Sequence, residues 1–314
     1  MTTSTTLLDV KNAVEEAYKE CKDLKGGVNA HYIPYLANVN SDLFGISVTL
    51  LDGTTVSVGD TDYIFGVESI SKVFTALLIL KQYGPEKVVE AIGADATGLP
   101  FNSIFAILLE KDHPSTPLVN AGAISACSMV KPSGNSTAKW EAILSNFADL
   151  CGVRPAVIEE LYKSESATNF TNRAIAWLLR SYNRIYDDVD MSLDLYTRQC
   201  SIGVNCNMLA HCAATIAGGG KNPKTGAEIF PAELTPKITS MISTVGFYQS
   251  TGDWLYRAGI PAKSGVGGGV MGVLPGVMGI CAFAPPLDNA GNSVKAQAAV
   301  KAVMEKLRLN LFQP

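Results

Sequence analysis

Histidine is scarce in this 314-residue chain: His31, His113 and His211 are the only three, far apart and in no HExxH or HxH arrangement. Neither a zinc centre built on paired histidines nor a Ser-His-Asp triad is expected from them. The seven cysteines, at 21, 127, 151, 200, 206, 212 and 281, include no Cys-x-x-Cys pair, and several sit inside apolar stretches. They read as small buried hydrophobes of a protein kept in a reducing cytosol. Dense Lys/Arg runs are missing as well, and a net charge of −4 leaves no basic stripe to follow a nucleic-acid backbone. Nowhere do eighteen apolar residues run uninterrupted, and the polar start leads straight into the mixed stretch LLDVKNAVEEAYKEC, so neither a membrane span nor a secretory leader is expected. No phosphate-cradling loop precedes a helix, because Gly218-Gly219-Gly220 follows one and reads as its stop signal. These absences point to a cytoplasmic protein with no nucleic-acid or membrane partner, no metal and no other cofactor.

Apolar material, by contrast, is ample. At 47% hydrophobic and 17% charged the chain can bury a full core. Val10, Val14, Ala17, Tyr18 and Cys21 recur at helical spacing and predict an amphipathic helix over 7–21. Phe44, Ile46, Val48 and Leu50 then alternate with small or polar residues, Asp52-Gly53 suits a tight primed turn, and alternation resumes over 54–58, which predicts a hairpin. A long helical run, SISKVFTALLILKQY, ends at Gly84-Pro85. Further helical patterns follow in KWEAILSNFADLCG, RAIAWLLRSYN and NMLAHCAATIAGGG. Strand character returns in two apolar segments around Leu274-Pro275-Gly276, and a last helix over 294–309 is capped by Ser293. Strands at both ends and helices between them predict an α/β chain of the α+β kind: an antiparallel sheet flanked by terminal helices, with an inserted helical subdomain. With no Pro/Ser-rich linker, residues 1–314 are expected to form one domain, its sheet-containing lobe about 1–68 plus 240–314 and its helical lobe about 69–239.

Two short motifs carry chemistry. Ser69-Ile70-Ser71-Lys72 sits at a strand-to-helix junction, where Ser and Lys three positions apart share a helical face and the amine can take the hydroxyl proton. Ser136-Thr137-Ala138-Lys139 repeats the spacing in the polar surroundings of KPSGNST, so the spacing alone does not identify a nucleophile. A plain helix cap is the competing reading of Ser69. The second motif, Lys263-Ser264-Gly265, enters a glycine-rich strand over 266–270, where small residues let a substrate lie against the backbone. The similar Lys224-Thr225-Gly226 lies in NPKTGAE and reads as a surface turn. A Ser-x-x-Lys helix followed by a Lys-Ser/Thr-Gly strand is the pattern of the β-lactamase and penicillin-binding serine hydrolases.

Longer blocks sharpen the match. YIPYLA, FGISVTLLDG, GDTDYIFGVESISKVF, PLVNAGAI, LDLYTRQCSI, AATIAGGG, GFY, GIPAKSGVGGG and FAPPLDNAGNSVK occur in order over nearly the whole chain. On these blocks the sequence resembles the serine-dependent glutaminases of β-lactamase-like fold. Glu68 stands where that family usually has Gln, and Phe170-Thr171-Asn172 replaces its usual Asp-Arg-Asn, with Asn172 still in register. The resemblance implies a single catalytic domain, a homodimer or homotetramer, that hydrolyses L-glutamine. It implies Ser69 as the acylated nucleophile, Lys72 as its proton partner and Tyr248 as a proton relay to the leaving amine. Tyr32 would close over the site, and Asn120, Glu165, Asn172 and Tyr196 would hold the substrate's two charged ends. The backbone N–H of Val266 would join that of Ser69 in an oxyanion hole.

The chemistry of a free amino acid suits this set, since a zwitterion needs an acceptor for its ammonium and donors for its carboxylate. Each residue also has a plainer reading: Tyr32 and Tyr196 as half-buried core aromatics, Asn120 and Asn172 as helix caps, Glu165 as a solvated carboxylate. Another hydrolase of the same fold and a non-catalytic amino-acid-binding protein are the rival functions. The acidic and amide-rich pocket set argues against the first, and the presence of both Ser69 and Lys72 against the second.

Overall fold

A computed structural model describes residues 6–109, 112 and 115–313. Its main sheet has five antiparallel strands in the order β2-β1-β7-β6-β5. These are β1 (Gly45–Leu50), β2 (Thr55–Gly59), β5 (Ala262–Ser264), β6 (Gly269–Leu274) and β7 (Met278–Phe283). The remaining strands, β3 (Phe65–Gly66) and β4 (Gly203–Val204), pair apart from it. The sheet thus joins the two ends of the chain through β1 and β7, in register from Gly45↔Phe283 to Leu50↔Met278.

One sheet face carries the terminal helices. Val10, Val14 and Ala17 of the helix Leu7–Cys21 and Ala296, Val300 and Val303 of the helix Val294–Leu307 bury against Ile46, Val48, Val270 and Ile280. Each fully buried aliphatic side chain contributes about 1.5–3 kcal/mol, so this face is a main source of stability for the sheet. The last helix is capped as expected, Ser293 Oγ accepting from Ala296 N, and it stops at Leu307 because Arg308 turns left-handed. On the opposite face the helix Cys206–Ala217 crosses β7, β1 and β6. Small residues permit that contact: a Cβ on Gly279 would lie 2.2 Å from Ala214 N. Ser47 of β1 faces this side and donates to Asn207 Oδ1 at 2.8 Å.

The hairpin turn differs from the expected two-residue form. Gly53 N bonds Leu50 O and Leu50 N bonds Thr54 O, so Leu51 and Asp52 form the turn and only Gly53 (φ +87°) is left-handed. A branched Leu51 resists positive φ, and Asp52 Oδ1 accepts from Thr54 N, which favours the longer loop with a glycine bulge. The expected glycine-rich strand over 266–270 is also revised. β5 ends at Ser264, a turn occupies 265–268, and β6 begins at Gly269.

Beyond the helix that crosses the sheet lies a second, larger core of helices. Ser71–Tyr83 is its central helix, buried on every side from Ser71 to Leu80, and it ends at Gly84 (φ +82°) with Pro85 starting the next helix, as expected. Its start is later than the motif suggests, because Glu68–Ile70 form a 3₁₀ turn first.

Candidate active site

The junction between β3 and the buried helix places Ser69 at the floor of a cleft. Glu68 is held left-handed (φ +50°), which turns the chain sharply out of the strand. A non-glycine residue there stores about 1–3 kcal/mol of strain, and Tyr248 (φ +55°) stores a similar amount across the cleft. Ser69 caps nothing. Ile70 occupies the cap position without a side-chain bond, and the Ser69 hydroxyl accepts from Lys72 Nζ at 2.5 Å. Both residues are buried. Burial holds the Lys72 amine below the usual lysine range, against the opposing pull of Cys200, Glu68 and Glu165.

The competing motifs separate cleanly. Ser136 is exposed, whereas Lys139 is buried and pairs with Asp187 Oδ2 at 2.6 Å, so that pair serves packing. Lys224-Thr225-Gly226 lies on an exposed turn. Lys263 is wholly buried behind the site, donating to Ser264 O at 2.8 Å with its Nζ 4.1 Å from the centre of the Tyr248 ring. Desolvation first, and the Lys72 charge second, push its amine well below the lysine range. Tyr248 packs against this amine and against Phe101, whose ring centroid is 5.1 Å away. Its buried hydroxyl faces Ser69, which favours ionisation, but the two form no hydrogen bond of full geometry, and burial dominates in raising the phenol.

Around this pair the cleft is lined by Tyr32, Asn120, Glu165, Asn172, Tyr196 and Val266, so every residue named from the resemblance reaches one place. Asn120 begins the helix Asn120–Met129, yet its side chain donates to Asn172 Oδ1 at 2.9 Å instead of capping. Its own Oδ1 is buried without a partner. Asn172 lies inside the helix Phe170–Ser181 and is likewise no cap. Tyr196 is both core and site: 4% exposed, with its ring centre 5.4 Å from Lys72 Nζ. Tyr32 is 48% exposed as a residue, but its phenol turns into the cleft, where burial raises it. Burial also pushes the Glu165 carboxyl up, so it is not a freely solvated acid.

Several lining residues were not singled out from sequence: Phe101, Asn102, Asn169, Thr171, Thr197 and Cys200. Of these only Phe101 and Asn102 carried a local signal, the turn-forming Gly-Leu-Pro before them. Among the described residues one trio, Glu68, Glu165 and Cys200, brings ligand-type atoms within 4.8 Å of one another. His31 is exposed and His211 bonds Asn222 Oδ1 at 3.0 Å, so neither joins it; His113 lies outside the described residues. No helix among those residues is long and apolar enough to cross a membrane.

A family model described as Glutaminase matches residues 27–312. A protein of Bacteroides fragilis named glutaminase is 70% identical over 303 residues, covering 96% of this chain and 94% of its own. Glutaminase 1 of Escherichia coli is 47% identical over 97% and 98% of the two chains. A solved structure described as a probable glutaminase, 47% identical, covers 98% of this chain and 100% of its own with a TM-score of 0.96. The probable glutaminase of Bacillus subtilis superposes at 0.87 despite 28% identity.

Proposed function

The chain belongs to the glutaminase family, and we propose that it hydrolyses L-glutamine through an acyl-enzyme on Ser69. Hydrolysis of that amide gives L-glutamate and ammonia. The contact between Lys72 Nζ and Ser69 Oγ carries the mechanistic reading, because it places a desolvated amine on a buried hydroxyl at the base of a cleft. Lys72 takes the hydroxyl proton as Ser69 Oγ bonds to the side-chain carbonyl carbon of glutamine. The developing oxyanion is met by the backbone N–H groups of Ser69 and Val266, and one such donor is worth about 3 kcal/mol. Tyr248 passes a proton to the departing nitrogen, the C–N bond breaks, and ammonia leaves. Water then attacks the ester by the reverse proton route and frees Ser69. Lys72 and Tyr248 act as a coupled pair, burial lowering the amine and raising the phenol so that a proton can pass between them.

Glu165 accepts from the substrate ammonium. Asn172, whose Oδ1 is already occupied by Asn120, offers its N–H groups to the carboxylate beside the Tyr196 hydroxyl. Tyr32 closes the open side. Seven buried, unpaired cysteines support a reducing, cytoplasmic location. The reading includes a homodimer or homotetramer, for which exposed Phe170 and Trp177, two turns apart on one helix, offer an apolar face.

Reach along the cleft sets the test. L-Asparagine is one methylene shorter, so fixing both of its charged ends leaves the amide displaced from Ser69, and a misplacement of about 1 Å costs about a hundredfold. Steady-state ammonia release without added metal is expected to give a kcat/KM at least about tenfold lower for asparagine than for glutamine. Equal values would reject this assignment of the pocket.

A further inference from the structure

Glu68 is a buried carboxyl group of the cleft floor that the mechanism above leaves unused. It is 3% exposed, its Oε1 has no hydrogen-bond partner, and it immediately precedes Ser69 with a carboxylate oxygen within 4.8 Å of one of Glu165. The chain makes room for it. A Cβ on Gly265 or Gly267 would lie 3.4 Å from Glu68 Cβ and 3.3 Å from its Cγ, and one on Gly66 would lie 3.3 Å from Oε1. The glycines of the Lys-Ser-Gly turn therefore form a wall against this side chain as well as a bed for substrate.

Two carboxyl groups with oxygens within 4.8 Å of each other in a desolvated site resist ionising together, because burial and their mutual repulsion outweigh the pull of Lys72 on the second charge. We propose that Glu68 is a positioning residue that shares one proton with Glu165, holding that carboxylate toward the substrate ammonium and limiting the pocket to a single negative charge. The inference rests on the glutaminase reading above. Burial and the Glu165 charge both push the Glu68 carboxyl well up, which agrees with Glu68 carrying the proton. Glu165 faces Glu68 from the helix Glu159–Thr168, Lys72 from the central helix, and Cys200 from the helix Val189–Cys200. The phenols of Tyr32 and Tyr248 complete the surround, with Lys263 of β5 behind Tyr248, while β6 brings no titratable group.

A pH dependence follows. As pH rises through the upper titration of the pair, the shared proton leaves and a second negative charge appears beside Lys72. That charge favours the ammonium form of Lys72, which cannot accept the Ser69 proton, so kcat falls on the alkaline side. In Glu68→Gln an amide N–H replaces the acidic proton and cannot ionise. In Glu68→Leu the volume is kept and the donor is lost.

The test is kcat and KM for L-glutamine from about pH 5 to about pH 8.5 for the wild type and both variants. The alkaline fall in kcat is expected in the wild type and displaced upward by at least about one pH unit in Glu68→Gln. Glu68→Leu is expected to raise KM at least about tenfold, with Glu68→Gln restoring it to within about threefold. Superimposable kcat profiles for wild type and Glu68→Gln, or a wild-type KM in Glu68→Leu, would overturn the role of Glu68 alone. Wild-type protein that released no ammonia from glutamine at any pH would overturn the functional reading beneath it.

Discussion

Tyr248 illustrates how a single side chain divides binding from turnover. Its ring is packed by Phe101 and the Lys263 amine, while its hydroxyl has no fixed partner and faces Ser69. Tyr248→Phe keeps the grip and removes only the hydroxyl proposed to relay the proton. Calorimetry is expected to show glutamine affinity within about tenfold of wild type, and ammonia release a kcat lower by at least about a hundredfold. Poor binding with normal turnover at saturation would assign the tyrosine to binding alone. At this scale the sequence was informative where chemistry sits in a short motif. Ser69 and Lys72 share a helical face by spacing, and the structure brings them to 2.5 Å. It was silent where a contact spans the chain. Nothing local in VESIS or KSESA announces that Glu68 and Glu165 meet, and the pairing of Asn120 with Asn172 required the folded helices.

Elements meet here through residues too small to notice. The helix Cys206–Ala217 lies on the sheet at β7 because Gly279 presents bare backbone to Ala210 and Ala214. A methyl group at 279 would meet backbone atoms, which have no rotamer in which to retreat. Gly279→Ala is therefore expected to cost at least about 2 kcal/mol, read as a lowered urea midpoint with an unchanged m-value. An unshifted midpoint would show that the helix moves away freely. Periodicity revealed the terminal helices because each has one wet face, and β1 because its large apolar residues alternate with small or polar ones even though both of its faces are buried. It missed Asn120–Met129, buried throughout and rich in Ala, Gly and Ser, since a helix with no polar side has no period to detect. Turn detail was lost for a different reason. Asp52-Gly53 and the glycines after Ser264 were recognised as special, but which residue takes positive φ depends on its neighbours, such as Leu51, and on packing against Glu68.

The whole molecule is a β-lactamase-like fold whose cleft lies where the large helical core, through Tyr196 and Cys200, meets a small third cluster that holds Ile33 and Val266. Residues that line it, from Tyr32 to Val266, come from loops, a 3₁₀ turn and several helices, so the site exists only when these two clusters are packed together. The arrangement places the proposed nucleophile on the 3₁₀ turn that leads into the buried helix Ser71–Tyr83, and the groups proposed to grip substrate on helices packed around it. Rigidity of that kind suits a reaction in which geometry to within about 1 Å decides the rate. The order of motifs along the chain conveyed this architecture, whereas the charge state of its floor emerged only from the packed structure. The central claim is that Ser69 is the nucleophile, and ammonia release from L-glutamine by Ser69→Ala, with Ser136→Ala as control, tests it most directly. With native circular dichroism retained, Ser69→Ala is expected to lose at least about a thousandfold in kcat, while Ser136→Ala stays within a few-fold of wild type. Turnover by Ser69→Ala within about tenfold of the control would contradict the account.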